Sequence, residues 1–123
     1  MARAFSLAAT PRLQAAIAVD SFGLRVCLDP RNSERREVTV PWSEITEVIA
    51  FKRDLLTTDV ICLSIVATGD QELEVNEEMA GWSGLLEALP IYLPECMTGR
   101  QIMEAAVNPA FATNETVVFA RVS

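Results

Sequence analysis

Between Arg36 and Leu89 the sequence repeats short apolar patterns separated by turn residues, and this repetition limits what the chain can fold into. Four strands are predicted here: Glu37–Trp42, Thr46–Arg53, Val60–Ala67 and Gln71–Asn76. A helix led by a tryptophan, Gly81–Leu89, follows them. Strand patterns of period two that end in a helical pattern are typical of an α+β domain. We therefore expect a small, strongly bent antiparallel sheet capped by a C-terminal helix.

Further elements are predicted on both sides of this stretch. Apolar residues alternate weakly in Ala15–Asp20 and clearly from Leu24 to Asp29, which indicates a hairpin. Val117–Val122 predicts a last strand, for a total of about six or seven. Thr98 and Gln101 have the spacing of a capping box, which predicts a short second helix over 98–106.

The pairing of Val60–Ala67 with Gln71–Asn76 is the clearest structural prediction. The first segment is a continuous, β-branched apolar run, typical of a strand buried on both faces. Thr68-Gly69-Asp70 supplies the turn between them. Pro41 lacks a backbone N–H, so its strand should lie at a sheet edge or a bend.

Length and composition indicate a single folded domain. The chain has 123 residues, half of them hydrophobic, which is enough for one core. No apolar run approaches the roughly 18 residues of a membrane-spanning helix. We expect residues 1–14 to form a poorly ordered N-terminus, with an organelle transit peptide as an alternative, and residues 15–123 to form the domain.

The net charge of −7 disfavours two classes of partner. Nucleic-acid binders and proteins that bind anionic membranes usually carry basic patches, and here the longest basic run is Arg35-Arg36. We expect no nucleic-acid and no membrane partner. A protein partner with a basic surface fits the charge best.

The three cysteines, Cys27, Cys62 and Cys96, predict free thiols. Their number is odd, and none are spaced as Cys-x-x-Cys. Cys27 and Cys62 lie in apolar strand patterns, where a thiol acts as a small hydrophobic side chain. Reduced thiols suit the cytoplasm, which is the expected location.

The chain contains no histidine, so the commonest general base and metal ligand is missing. Catalytic triads that use histidine are thereby excluded. The five glycines form no phosphate-binding loop. Lys52, the one lysine, has no supporting motif and is interpreted as a solvated charge at a strand end. We expect no enzyme activity, no catalytic residues, no cofactor and no metal.

An acidic segment between the fourth strand and the helix is the first candidate site. It contains Asp70, Glu72, Glu74, Glu77 and Glu78. Alternate residues share one face of a strand, so the first three should lie in a row. A solvated face is the simplest interpretation, a docking surface for a partner is the second, and a cation site is the third.

A loop with two leucines is the second candidate site. Leu55 and Leu56 lie at its tip, and Asp59 closes it. Exposed leucines would bind a partner, whereas leucines turned inward would only pack, and the sequence leaves both open. Trp42 and Trp82 follow apolar positions and are predicted to anchor the core.

The stretch Val38–Leu89 resembles the bacterial pleckstrin-homology-like superfamily. The similarity lies in Val38–Ile45 with its Trp-x-x-Ile ending, the strands that follow, and the helix led by Gly81-Trp82. This resemblance implies a partial barrel of bent sheet and a role as an interaction module. Lipid binding is not implied, because the early loop mixes Arg31 and Arg35 with Glu34.

Three functions remain open at this point. The first is a non-enzymatic protein–protein interaction module with an unassigned partner. The second is a bacterial immunity protein that neutralises a basic toxin, since a small acidic protein would associate rapidly with one. The third is a metal-dependent enzyme that uses segment 70–78. A homodimer through an edge strand, 37–42 or 117–122, is a further expectation.

Overall fold

The structure is a computed structural model that describes residues 5–6, 14–29, 36–54, 59–107 and 115–121. The elements within these ranges are strands β1 (Phe5–Ser6), β2 (Gln14–Val19), β3 (Gly23–Asp29), β4 (Arg36–Pro41), β5 (Ile45–Asp54), β6 (Asp59–Ala67), β7 (Gln71–Asn76) and β8 (Thr116–Ala120), and helices α1 (Trp82–Tyr92) and α2 (Gly99–Val107). A single 3₁₀ turn, Trp42–Glu44, joins β4 to β5. The fold is α+β, as expected.

The strands form two separate sheets. One has the order β1-β7-β6-β5-β8 and the other the order β2-β3-β4. Apart from the two-residue β1, which is parallel to β7, all the pairings are antiparallel. No described strand of one sheet pairs with a strand of the other, so the sheets are not closed into a barrel.

Both predicted hairpins are confirmed. In β2–β3, Ile17 lies opposite Val26, and in β6–β7, Leu63 lies opposite Val75. Because β6 is the middle strand of the larger sheet, neighbours cover both of its edges and almost every described side chain on it is buried. Pro41 ends β4, an edge strand, where its missing N–H removes no ladder bond.

The core lies between the inner faces of the two sheets and helix α1. This helix buries Trp82, Leu85 and Leu89 on one face, as their spacing predicted. Both tryptophans are core residues, with Trp42 5% and Trp82 8% exposed. The capping box of α2 is also confirmed, because Gln101 N–H donates to Thr98 Oγ1 and Thr98 N–H donates to Gln101 Oε1.

The interpretation of Lys52 as a solvated charge was wrong. Its side chain is buried, with 9% exposed. Lys52 alternates with Val48 and Ala50 on β5, and both of these are core residues. Strand periodicity therefore turns Lys52 inward even though it lies near the end of the strand.

The N-terminal prediction falls mostly outside the described residues. Of residues 1–14, the structure describes Phe5–Ser6, paired with Leu73 and Glu74 of β7, and Gln14, the first residue of β2. The expected domain limits stay a prediction.

A close backbone contact fixes the start of α1 against β2. Ile17 N–H donates to Ala80 C=O at 2.7 Å. Gly81 then adopts φ +91°, and a Cβ there would lie 1.9 Å from Ile17 O. Only glycine combines this backbone conformation with so close an approach.

Substitution of Gly81 by alanine should therefore destabilise the fold, whereas Gly84→Ala should not. We expect Gly81→Ala to lower the free energy of unfolding by about 2–3 kcal/mol, because it adds left-handed strain and a clash. A Cβ at Gly84 meets nothing within 4 Å, so Gly84→Ala should raise that free energy by up to about 1 kcal/mol. Urea unfolding followed by tryptophan fluorescence measures both. Equal stability of the two variants would contradict the role given to Gly81.

Candidate protein-binding surface

The predicted leucine loop lies largely outside the described residues. Leu55 and Leu56 belong to residues 55–58, which the structure does not describe. Asp59 is the first residue of β6, but its side chain is not described. Contact through this loop therefore stays a prediction.

The acidic segment 70–78 is divided among different environments. Asp70 is exposed in the β6–β7 turn, with φ 61°. Glu78 is exposed just beyond β7. Glu72 is half-buried and accepts a hydrogen bond from Ser64 Oγ at 2.5 Å. Its carboxylate is thus already engaged within the sheet.

Glu77 completes the pairing at the end of the β6–β7 hairpin. Its backbone N–H donates to Ile61 C=O at 3.0 Å, and its carboxylate accepts the Ile61 N–H at 2.7 Å. A carboxylate that occupies a ladder donor is a structural group, because its removal would leave that donor unpaired.

Glu74 differs most from the interpretation of segment 70–78 as a solvated acidic face. It lies on the outer face of the larger sheet, as alternation predicts, but it is only 4% exposed. Arg53 on β5 reaches across β6 and places Nη2 2.7 Å from Glu74 Oε2. Burial opposes the charge on the guanidinium, yet the Glu74 carboxylate outweighs it and raises the pKa of Arg53. The acidic row expected on β7 is therefore interrupted by an ion pair.

This arrangement does not favour a cation site on β7. Glu74 is neutralised by Arg53 and Glu72 is bonded to Ser64. Across the described ranges, no group of three or more cysteine, aspartate or glutamate side chains could hold a metal ion.

The described thiols are free, as predicted, and two of them are shielded from solvent. Burial raises the pKa of Cys62 to about 11, with a further increase from Glu74. Burial alone raises the pKa of Cys96 to about 11. Cys27 is half-buried in β3. Since the thiolate is the reactive form, Cys62 and Cys96 are unreactive near neutral pH.

Thiol titration should therefore separate Cys27 from the other two. In native protein at about pH 8, Ellman's reagent should modify Cys27 rapidly and leave Cys62 and Cys96 unmodified for as long as the protein stays folded. All three should react in denaturant. A Cys27→Ser variant, as the control, should show no rapid phase. A rapid phase in that variant would contradict the burial of the other thiols.

An exposed aromatic surface emerges where the two sheets meet. Phe22, 61% exposed, is at the tip of the β2–β3 turn, and Tyr92, 36% exposed, ends α1. Trp42 lies between them. It donates its backbone N–H to Phe22 C=O at 3.1 Å, and its ring stacks on that of Tyr92 with centroids 5.0 Å apart. We call Phe22, Trp42 and Tyr92 the aromatic corner.

The turn that presents Phe22 is fixed by Asp20. Its Oδ1 accepts the backbone N–H groups of Phe22 at 2.9 Å and Gly23 at 3.1 Å, while Oδ2 bonds Arg25 at 3.0 Å. The bonds from Gly23 and Phe22, and then that from Arg25, lower the pKa of Asp20. Trp42 Nε1 donates to Asp20 C=O at 2.7 Å. Phe22 is thus exposed on a backbone that is already ordered.

The opposite side of Trp42 is fixed by Arg121, which follows β8. Arg121 Nη2 donates to Trp42 C=O at 3.0 Å, and Nε donates to Ile45 C=O at 2.9 Å. The backbone N–H, the carbonyl and the indole N–H of Trp42 are therefore all hydrogen-bonded. The corner is a rigid surface.

Three exposed carboxylates lie close in the chain to residues of the corner or to its helix. Glu44 lies in the 3₁₀ turn, and Glu95 lies three residues after Tyr92. Glu87 precedes the 71% exposed Ile91 by one turn of α1 and shares its face. None of the three forms an ion pair with a described residue. The surface is apolar at its centre and negative around it.

The described arginine side chains are held in ion pairs or hydrogen bonds within the fold. Arg25 pairs with Asp20, Arg53 with Glu74 and Arg100 with Glu104, while Arg121 donates to carbonyls. Among the described residues, Arg25 and Arg121 lie beside the corner, and neither forms an ion pair with Glu44, Glu87 or Glu95.

Sequence reasoning missed Phe22 and Tyr92 as surface residues. Phe22 sits in a Ser-Phe-Gly turn, and a large apolar side chain at a turn position was the available signal. Tyr92 gave none, because its exposure depends on where Pro90 lets the helix end and on the position of Trp42.

Comparisons of the chain with models of protein families, with curated proteins and with solved structures find no match. In the described ranges, neither helix is long and apolar enough to cross a membrane.

The lowered pKa of Asp20 gives a direct test of the turn. Because the folded pKa lies below the ordinary 3.8, the bonds to Phe22 and Gly23 are present above that pH and are lost as pH falls through the folded value. We expect the amide proton shifts of these two residues, followed by NMR from neutral pH to about pH 2, to titrate with a midpoint under 3.8.

Two variants serve as controls for this titration. Asp20→Asn should abolish it, because the amide does not ionise. Asp70→Asn changes an exposed turn carboxylate elsewhere and should leave it intact. A midpoint at or above the ordinary value in wild type would show that the turn is not held by the ionised carboxylate.

Proposed function

We propose that this protein is a non-enzymatic interaction module that binds a basic protein surface through the aromatic corner. The observation that carries the proposal is the 61% exposure of Phe22 on a turn whose backbone N–H groups donate to Asp20 Oδ1 and whose Asp20 C=O accepts the indole N–H of Trp42. A large apolar side chain held exposed in a rigid setting loses little entropy on binding. Such aromatic residues are common binding hot spots.

Charge supports the choice of partner. The chain carries −7 overall, and Glu44, Glu87 and Glu95 lie around the corner without a described cation partner. A partner with lysine and arginine around an apolar pocket would complement this pattern and associate faster at low salt. The acidic segment on β7 supports contact less well, because Glu74 and Glu77 serve the fold.

The resemblance to the pleckstrin-homology-like superfamily is part of this proposal, because it implies a role as an interaction module. Two sheets that are not closed into a barrel, with the buried face of α1 in the core, are compatible with it. Fold analogy adds only a prior for a binding role.

Quantitative affinity capture with matched variants tests the proposal. Tagged wild type, Phe22→Ser and Val117→Ser would be used on lysate of the source organism. Val117, 53% exposed on β8, is the control for an exposed apolar residue outside the corner. We expect basic proteins captured by wild type and by Val117→Ser to be lost with Phe22→Ser. With the purified partner, Phe22→Ser should raise Kd at least about tenfold, since burial of a phenylalanine contributes about 2 kcal/mol.

Two results would contradict the proposal. One is a set of captured proteins that Phe22→Ser leaves unchanged. The other is a partner whose binding does not weaken as salt increases, because that would remove the role of the carboxylates. Circular dichroism of each variant verifies that the fold is retained.

A further inference from the structure

A groove lies between β4 of the smaller sheet and β6–β7 of the larger one. Its volume is about 160 Å³. Residues 38–40 of β4 form one wall and residues 71–73 of β7 form the other. Ile65 and Ala67 of β6 form an apolar floor. An apolar cavity of about 150 Å³ accommodates benzene, so this groove fits one leucine or phenylalanine side chain.

The β4 wall of the groove is a strand edge to which no described strand pairs. In the described part of the chain, β4 pairs with β3 on one side only. Trp42 N–H points to β3, where it bonds Phe22 C=O. Because ladder bonds alternate along an antiparallel strand, the backbone N–H and C=O groups of Val40 and Val38 also point to β3. Glu37 and Thr39 therefore direct their N–H and C=O groups towards the groove.

The β7 wall leaves room beside that edge. β7 pairs with β6 and, at Leu73 and Glu74 alone, with β1. No pairing joins β4 to β7 among the described residues. An extended segment can thus lie along β4 without displacing a described ladder.

Negative charge borders the groove on both walls. Glu37 is exposed on β4 and Glu72 lines the β7 wall, with Asp70 in the adjacent turn. None of the described residues that line the groove has a basic side chain. A second copy of this chain, also at −7, would bring more negative charge to this border. The charge pattern therefore favours a basic segment over self-pairing.

We infer that the groove binds an extended segment of a partner protein, added as a strand to β4. The segment alternates apolar residues with lysine or arginine. One apolar side chain enters the groove over Ile65 and Ala67, while the basic side chains point outward to the exposed Glu37. Glu37 and Thr39 supply the main-chain hydrogen bonds, which is the usual source of affinity in strand addition. This site is separate from the aromatic corner, and either can fail without the other.

A synthetic peptide that alternates lysine with leucine is the probe. We expect saturable binding by calorimetry, with NMR shift changes concentrated in residues 36–41 and 71–73. Two control peptides define the interaction. In the first, glutamate replaces lysine, which tests whether binding needs positive charge. In the second, the backbone nitrogens that would face β4 are N-methylated, which tests whether binding needs main-chain hydrogen bonds to β4. Each should bind at least about tenfold more weakly.

Thr39→Pro tests the same ladder from the protein side. It removes one donor that points away from β3, so the β3–β4 pair is kept. We expect it to raise the Kd of the lysine–leucine peptide about tenfold, whereas Thr39→Val, which retains the N–H, should change it less than about twofold. If Thr39→Pro does not fold, the N-methylated peptide still decides the question.

Several outcomes would overturn the inference. The inference is wrong if the charge-reversed or the N-methylated peptide binds as tightly as the lysine–leucine peptide. It is also wrong if the NMR shift changes are centred elsewhere, or if no saturable binding is found. Sedimentation is the final control. A dimer that Thr39→Pro dissociates and that the peptide fails to displace would assign this edge to a second copy.

Discussion

The hydrogen bonds and ring contact of Trp42 are the constraint on which the functional surface depends. Trp42 stands at the junction where β4 leaves the smaller sheet and the chain enters β5 of the larger one. Its polar groups bond the β2–β3 turn and Arg121, and its ring stacks on Tyr92 at the end of α1. One buried side chain thus sets the relative positions of both sheets and the helix. The exposure of Phe22 and Tyr92 follows from that geometry.

The arginine side chains that form ion pairs within the fold affect the balance of charge at its surface. Arg53 forms an ion pair with the buried Glu74, and Arg25 forms one with Asp20 in the β2–β3 turn. Replacement of Arg53 alone would leave the buried Glu74 carboxylate without its ion-pair partner, which costs more than the pair contributes. Among the described residues, the surface carboxylates Glu44, Glu87 and Glu95 form no ion pair. The proposed preference for a basic partner would follow from this use of cations within the fold.

Local patterns in the sequence predicted most of the architecture. Period-two alternation located the β6–β7 hairpin, and Thr98 with Gln101 located the start of α2, because both depend on neighbouring residues. Glu74 and the aromatic corner depend on contacts between distant strands. Alternation assigned Glu74 to the outer face correctly, yet it could not show that Arg53 would reach across β6 and bury it. Exposure of Tyr92 likewise required the position of Trp42, fifty residues earlier.

A free strand edge beside an apolar groove is a risk for aggregation, so its persistence needs a physical reason. Proteins protect such edges with charge, with proline and with short strands. β4 has the first two, since Glu37 is exposed on it and Pro41 ends it. These features oppose pairing with an acidic or neutral strand more than with a basic one. The same residues that limit self-association therefore leave the edge available to a segment of opposite charge, and protection and selectivity have one origin.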